Sequence, residues 1–386
     1  MKHSPVVISL EGRVDSGNAS KVENQIQTKM MGKDDIPVEI DAQKLEYISS
    51  AGLRVLLRLK QKHPDLSITG VNSTVYEILE MTGFTEMMHV EKAYRMVSVD
   101  GCEEIGRGAN GTIYRIDQDT VVKVYNNADS LAEIQHEREM AKLALILGIP
   151  TAISYDVVKV GNSYGSVFEL LNARSFTKIL IDEPEKLDWC VDEFVHLLKK
   201  IHSTVVPKGK LRDIKETVLY WVSTMESCLP SEAAEKLESL VQAVPYDNHL
   251  LHGDYHTKNI ELQNDEVLLI DMDTLAVGNP VFELASVYNS LIGFSEWDHE
   301  HIRRFQGYDF ETAKTFWAKT LTAYLETDDE AALRNAEEKI RIVSYTRLLS
   351  RSIRHREYET ETGKLECRLW KSELLQLLEK VDTLLF

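Results

Sequence analysis

The run Leu250-Leu251-His252-Gly253-Asp254-Tyr255-His256-Thr257-Lys258-Asn259-Ile260 sets a carboxylate and a carboxamide five positions apart, and Asp271 closes the apolar run Val267-Leu268-Leu269-Ile270 twelve positions after the carboxamide. That set suits phosphoryl transfer to a hydroxyl. Asp254 would orient the attacking hydroxyl and must be ionised to accept its proton. Asn259 and Asp271 would hold magnesium, a hard ion that takes oxygen ligands: the carboxamide is a neutral donor and the carboxylate offsets the ion's charge. Asp273 reads either as a further carboxylate beside the metal or as an exposed turn acid. His252, Asp254 and His256 alternate, so they also admit a transition-metal claw. That reading leaves Asn259 and Asp271 unused. His252 reads better as a residue tying the loop to its neighbours, and His256 as an orienting residue behind the reacting groups.

Upstream, Glu104-Ile105-Gly106-Arg107-Gly108-Ala109-Asn110-Gly111-Thr112-Ile113-Tyr114-Arg115-Ile116 reads as strand, glycine turn and strand, followed by the strand Val121-Val122-Lys123-Val124-Tyr125. A dinucleotide-binding glycine motif opens a helix after its last glycine. Here strand-like alternation continues, so a hairpin is predicted. Gly106, Gly108 and Gly111 would let the backbone approach phosphates that Lys123 also reaches, which is the spacing of a kinase glycine-rich loop and its lysine. The periodicity of Ile134, Met140, Leu143 and Leu147 predicts a helix that stops at Gly148-Ile149-Pro150. Glu137 on that helix is the acid chosen to pair with Lys123, with Glu133 as the alternative. Ser166–Ala173 reads as a strand and hinge whose backbone at Glu169 and Leu171 would meet an adenine edge, or else as an ordinary edge strand.

The elements that must hold these residues belong to a chain of 386 residues, 43% apolar and 27% charged, with 9 Pro and 19 Gly, which fits a soluble globular protein of two or three domains. No apolar run approaches the ~18 residues of a membrane span, and Met1-Lys2-His3-Ser4-Pro5 leads into strand-like alternation instead of a signal sequence; a cytoplasmic protein is expected. Cys102, Cys190, Cys228 and Cys367 form no CxxC pair and are expected to be reduced, packed thiols. Of the net charge of −18, −1 falls on residues 1–98 and −17 on the remainder. A phosphate backbone needs a positive surface, so non-specific nucleic-acid binding is disfavoured for the remainder, no nucleic acid is expected as a partner, and the balance leans toward a cationic acceptor.

Residues 1–98 read as a small α/β unit. Its predicted elements are a strand at Val6–Leu10, a helix over about Ser16–Met31, a strand Val38–Ile40 passing through Asp41 into a loop, and a helix over about Ser50–Lys62. Then come a strand at Leu66–Thr69, a helix over about Ser73–Met81 stopped by Gly83, and a last strand near Tyr94–Val97. Leu10-Glu11-Gly12-Arg13-Val14-Asp15 with Tyr47-Ile48-Ser49-Ser50-Ala51-Gly52-Leu53-Arg54-Val55-Leu56-Leu57 resembles a STAS domain of the anti-sigma factor antagonist family. The resemblance implies that Ser50 is a regulatory phosphosite at a helix N-terminus, where the dipole suits a phosphate. Ser50 otherwise reads as an ordinary N-cap. Ser49 stands where regulated members usually have Asp.

His252-Gly253-Asp254-x-His256-x-x-Asn259 with Ile270-Asp271-x-Asp273 resembles the aminoglycoside phosphotransferase and choline kinase-like family, from about residue 102 to beyond residue 290. Gly278-Asn279-Pro280-Val281-Phe282-Glu283-Leu284-Ala285 is similar to that family's ending, with Asn279 and Glu283 in place of Asp, a departure expected to concern packing of the segment. The resemblance implies a protein-kinase-like, bilobal α+β domain over 99–386, its N-lobe about 99–171 and its largely helical C-lobe about 172–386. Helices are predicted at Phe310–Leu325, Glu330–Arg356 and Glu366–Phe386. Arg347, Arg351, Arg354 and Arg356 read as a solvated helix side paired with Glu357, Glu359 and Glu361, an anion or partner site being the alternative.

The function expected is an ATP- and Mg2+-dependent phosphotransferase acting on a hydroxyl of a small molecule, with the STAS domain as a regulatory or protein-interaction module. Asp254 would be catalytic; Gly106, Gly108, Gly111, Lys123, Glu137, Glu169 and Leu171 would bind nucleotide; Asn259 and Asp271 would bind metal. The alternative is a signalling protein whose kinase-like part senses nucleotide or phosphorylates a partner protein.

Overall fold

A computed structural model describes residues 4–33, 36–108, 111–128, 130–225 and 228–386. Met1, Lys2, His3, Ala109 and Asn110, to which the sequence reading extends, lie outside them. The chain divides into two compact units, residues 1–100 with 157–165, and residues 101–156 with 166–386.

The first unit runs β1 (Val6–Val14), α1 (Ala19–Met30), β2 (Val38–Ile48), α2 (Ser50–Lys62), β3 (Ser67–Val71), α3 (Ser73–Met81), α4 (Phe84–Met87) and β4 (His89–Lys92), followed by β5 (Arg95–Met96). β1 to β4 form a parallel sheet in that order. Alternation decides its buried face: Ile8 and Leu10 enter the core while Val7 between them is 51% exposed.

Three expectations are corrected here. β2 does not break after Ile40 but continues through Asp41 to Ile48, keeping its pairing with β1 by two register shifts. The fourth strand of the sheet is His89–Lys92, not Tyr94–Val97, because Val90 packs on the core whereas Met96 is 65% exposed. Ser50 is not the cap of α2. Ser49 has extended backbone and its hydroxyl accepts from the Ala51 N–H at 3.2 Å, which leaves Ser50 as an exposed first helical residue.

The second unit opens with the antiparallel strands β6 (Glu103–Arg107), β7 (Gly111–Arg115) and β8 (Thr120–Tyr125), then α5 (Leu131–Ile146); the chain continues into β9 (Asp156–Val160) and β10 (Ser163–Glu169). β10 lies beside β8. Residues 157–165, which hold most of β9 and the start of β10, count with the first unit, inside which β5 runs parallel to β9. The helical part follows: β11 (Arg174–Ser175), α6 (Phe176–Asp182), α7 (Leu187–His202), α8 (Ile214–Thr224) and α9 (Ser231–Ala243). β12 (Leu250–Leu251), β13 (Ile260–Gln263), β14 (Glu266–Leu269) and β15 (Ala276–Val277) carry the loops of chemical interest. The chain ends in α10 (Pro280–Tyr288), α11 (Glu300–Phe305), α12 (Phe310–Leu325), α13 (Glu330–Arg354) and α14 (Glu361–Lys380). α14 starts five residues before the predicted Glu366 because the Thr360 hydroxyl caps it, accepting from the Gly363 N–H at 3.0 Å. Asn264 and Asp265, at φ 49° and 65°, make the two-residue turn that closes the β13–β14 hairpin.

The loop between β12 and β13 is pinned to the core by Tyr255, which is fully buried. Its ring meets Phe194 edge-on with centroids 4.5 Å apart, and its hydroxyl donates to the Phe194 carbonyl at 2.7 Å. No described helix is long and apolar enough to cross a membrane. Of the thiols expected to be packed, Cys190 is buried but Cys228, within the short link from α8 to α9, is exposed.

Candidate active site

A cavity of about 510 Å³ opens beneath the β6–β7 hairpin. Gly106, Gly108 and Gly111 line it, and the Gly108 N–H donates to the Gly111 carbonyl at 2.9 Å. Gly111 has no room for a side chain, since a Cβ there would lie 2.4 Å from the Val124 carbonyl oxygen. Lys123, in the middle of β8, points its ammonium at α5: Nζ is 3.0 Å from each carboxylate oxygen of Glu137. Glu137 is therefore the paired acid and Glu133 is not. Tyr125 also donates its hydroxyl to Glu137, and burial beside that carboxylate pushes the phenol well above its ordinary range. At the far wall, Glu169 and Leu171 line the cavity. The amide of Leu170 between them is turned away, donating to the Asp119 carbonyl at 2.8 Å.

Asn259 and Asp271 line the same cavity. The Asn259 side-chain amide donates to the Asp254 carbonyl at 3.0 Å, which leaves its oxygen as the atom to offer. The Ile270 N–H donates to the Asn259 carbonyl at 2.9 Å, bringing the two residues together across the β13–β14 hairpin. Asp271 sits in left-handed backbone at φ 65°, a strained position for a residue with a side chain. One of its carboxylate oxygens, Oδ1, is buried without a hydrogen bond and lies 3.9 Å from Lys123 Nζ. An orphaned carboxylate oxygen beside a free carboxamide oxygen is a donor set that fits a hard divalent cation. Burial, with Asp271 and Glu137 adding to it, pushes the Asp273 carboxyl up to about 6.

Among the described residues no group of three His, Cys, Asp or Glu side chains converges as a metal cluster, and His252 explains why the claw does not form. Its Nε2 lies 3.2 Å from the Ile270 carbonyl and its Nδ1 receives the Asp254 N–H at 3.2 Å, so both ring nitrogens are spent on holding the loop.

The Asp254 carboxylate stands outside the cavity wall and is 38% exposed. Burial would raise its carboxyl, but His256 Nε2 at 3.4 Å from Oδ2, Arg347 and His252 outweigh it and hold the group down at about 2. It is ionised throughout the neutral range. Beneath it, the fully buried Glu283 on α10 accepts from the backbone N–H groups of both His252 and Gly253, the latter at 2.9 Å. Gly253 is at φ 87°, and a Cβ there would meet the Thr274 carbonyl oxygen at 2.6 Å. Glu283 thus fixes the loop from below, alongside Tyr255 and His252. A signal for it exists in the sequence: one acid within Val281–Tyr288, a run buried on every side, must be paired.

Arg347 corrects the reading of the arginine run. Arg351 does pair with Glu357 at 2.7 Å and Arg356 with Glu359 at 2.6 Å, but Glu361 pairs with Lys364 at 2.6 Å. Arg347 turns inward instead, with Nη1 donating to Ser286 Oγ at 2.5 Å and Nη2 3.9 Å from Asp254 Oδ1. Nothing in its own neighbourhood of sequence distinguishes it from the other three.

Comparison with known proteins extends these observations. Residues 101–318 match the phosphotransferase enzyme family, and residues 1–91 match the Mlab, STAS domain. Over 89 residues, 22% of this chain, the chain is 34% identical to a protein of Bordetella bronchiseptica (strain ATCC BAA-588 / NCTC 13252 / RB50) described as the anti-sigma factor antagonist BtrV, 76% of which is covered. Among solved structures, aminoglycoside phosphotransferase APH(4)-Ia superposes with a TM-score of 0.50 at 11% identity, covering 72% of this chain and 93% of that one. The ADP-bound aminoglycoside phosphotransferase APH(2'')-Ib gives 0.47 at 15% identity, covering 80% and 97%. The chain belongs to the phosphotransferase enzyme family, with a STAS domain preceding its kinase-like part.

Proposed function

We propose that residues 99–386 transfer the γ-phosphoryl group of ATP to a hydroxyl of a small molecule, and that residues 1–98 act as a regulatory or protein-interaction module. One observation carries this reading: Lys123, braced by Glu137, reaches Asp271 at the wall that Asn259 shares. The adenine would lie between the glycine hairpin and the backbone of Glu169 and Leu171, and Lys123 would grip the phosphates. Asn259 and Asp271 would hold magnesium, which when bound supplies positive charge against the polyphosphate. Asp254, already ionised, would orient the acceptor hydroxyl and take its proton as the new oxygen–phosphorus bond forms and the bond to the ADP oxygen breaks.

Titration calorimetry with the non-hydrolysable nucleotide AMP-PNP tests the nucleotide half. Wild type is expected to bind it in magnesium and at least about tenfold more weakly in EDTA, the scale of one charge-assisted contact set. Asp271→Ala should abolish that magnesium dependence. Equal affinity with and without magnesium in the wild type would refute the assignment.

A second reading is favoured by the likeness to an anti-sigma factor antagonist and by the exposure of Ser50 at the start of a 13-residue helix. In it the kinase-like part senses nucleotide or phosphorylates a partner protein, and Ser50 is a regulatory phosphosite. Transfer of labelled phosphate to a protein, with no small hydroxyl compound accepting it, would select this reading.

A further inference from the structure

Arg347 is placed where an acceptor would lie, and its donors are underused. A guanidinium carries five N–H donors in a planar fork. Among the described residues, Arg347 makes one hydrogen bond, from Nη1 to Ser286 Oγ, while Nη2 stays 3.9 Å from Asp254 Oδ1, beyond hydrogen-bond reach. The side chain is 29% exposed and its fork lies 5.7 Å from the Trp221 ring centroid, which limits its movement. Ser286 in turn donates to the Gly253 carbonyl at 3.2 Å, so the fork is fixed to the loop that carries Asp254. One turn further along α13, Arg351 is held 5.2 Å over the Phe294 ring and is satisfied by Glu357. Arg354, on the same side, is exposed. Neither Arg347 nor Asp254 lines the nucleotide cavity. Arg347 sets a positive charge beside Asp254, with the buried Glu283 also acting on it, in a chain whose net charge is −18.

On the phosphotransferase reading above, the reacting hydroxyl lies against Asp254. We propose that the acceptor also carries an oxyanion, a carboxylate or a phosphate ester, and that Arg347 receives it. The idle N–H groups of the fork match two oxygens of such a group and hold the hydroxyl toward Asp254. A polycationic acceptor would instead bring positive charge against Arg347 and offer nothing for those donors to bind. Whole-chain charge misleads here because recognition depends on the few groups within contact of the ligand.

The test is ADP release from MgATP with four sets of hydroxyl compounds. These are hydroxy acids (glycerate, gluconate), phosphate esters (glycerol 3-phosphate, ribose 5-phosphate), amines (choline, ethanolamine, kanamycin) and neutral controls (glycerol, ribose). Turnover above background is expected with one of the first two sets, which also separates carboxylate from phosphate. Arg347→Gln should raise KM for that acceptor about 10- to 100-fold, the scale of a lost charged hydrogen bond, with a smaller change in kcat. Arg347→Lys should recover part of the loss. AMP-PNP affinity within about twofold of wild type would show that the variants fold, the scale of contact-free substitutions. Acceptance of the amines alone, acceptance of nothing by a protein that binds MgAMP-PNP, or an unchanged KM in Arg347→Gln would overturn the inference. Failure of wild type to bind MgAMP-PNP would instead sink the phosphotransferase reading beneath it.

Discussion

Two cation–carboxylate pairs in the second unit are built to different tolerances. Lys123 and Glu137 are locked, both oxygens at 3.0 Å with Tyr125 as a further donor, and the two side chains are 16% and 13% exposed. Arg347 and Asp254 stand 3.9 Å apart and are 29% and 38% exposed. A pair whose donors are used holds a geometry, whereas a pair with donors to spare keeps N–H groups available to a ligand. On the proposed function the tight pair would serve the nucleotide and the loose one the acceptor.

The largest effect should come from the loose pair. Asp254→Ala is expected to lower turnover by about 100-fold or more, the share of a positioned base, while MgAMP-PNP affinity measured by calorimetry persists. Wild-type turnover in that variant would erase the distinction between the two sides.

Next comes the support beneath the loop. Glu283 is fully buried, which would raise its carboxyl, but His202, His252 and the backbone N–H donors prevail and hold it below the ordinary carboxylate range. Its folded pKa being depressed, the stabilisation is complete above the ordinary value of about 4.3 and is lost as pH falls below it. Glu283→Gln should therefore cost about 2 kcal/mol in urea unfolding at pH 7, and the gap from wild type should narrow toward pH 3. A gap that is constant with pH would mean that charge is not what Glu283 contributes.

The smallest effect should come from trimming the locked pair. Tyr125→Phe removes one donor to Glu137, and a several-fold rise in KM for MgATP is expected, about 1 kcal/mol. A loss as large as that of Asp254→Ala would show that the nucleotide side is as delicately poised as the acceptor side.

Legibility in the sequence divides along the same line. Lys123 and Glu137 are 14 residues apart, one a lone cation within a valine strand and the other on a helix with a readable stop, so kinase-like spacing and the position of that stop pick out the pair. The helices at Ser50–Lys62, Ser73–Met81 and Phe310–Leu325 are read to the residue because apolar spacing and breakers agree there. The strand past Asp41 and the cap at Ser49 are misread because polar residues obey pairing and backbone angle at those points, not pattern. Arg347 carries no local mark at all: its inward turn depends on where α13 crosses α10 and the Asp254 loop.

What the amino-acid order determines by itself is the inventory of chemistry, the two-part organisation and the course of most helices and strands, since these follow from residue type, spacing and periodicity along one chain. Only tertiary structure decides which arginine faces Asp254, that Asp271 takes a left-handed backbone with one buried oxygen unmet, and that Glu283 carries the loop. Those outcomes depend on contacts between segments distant in sequence, where burial and geometry set the charge and hydrogen bonding of a side chain irrespective of its neighbours along the chain.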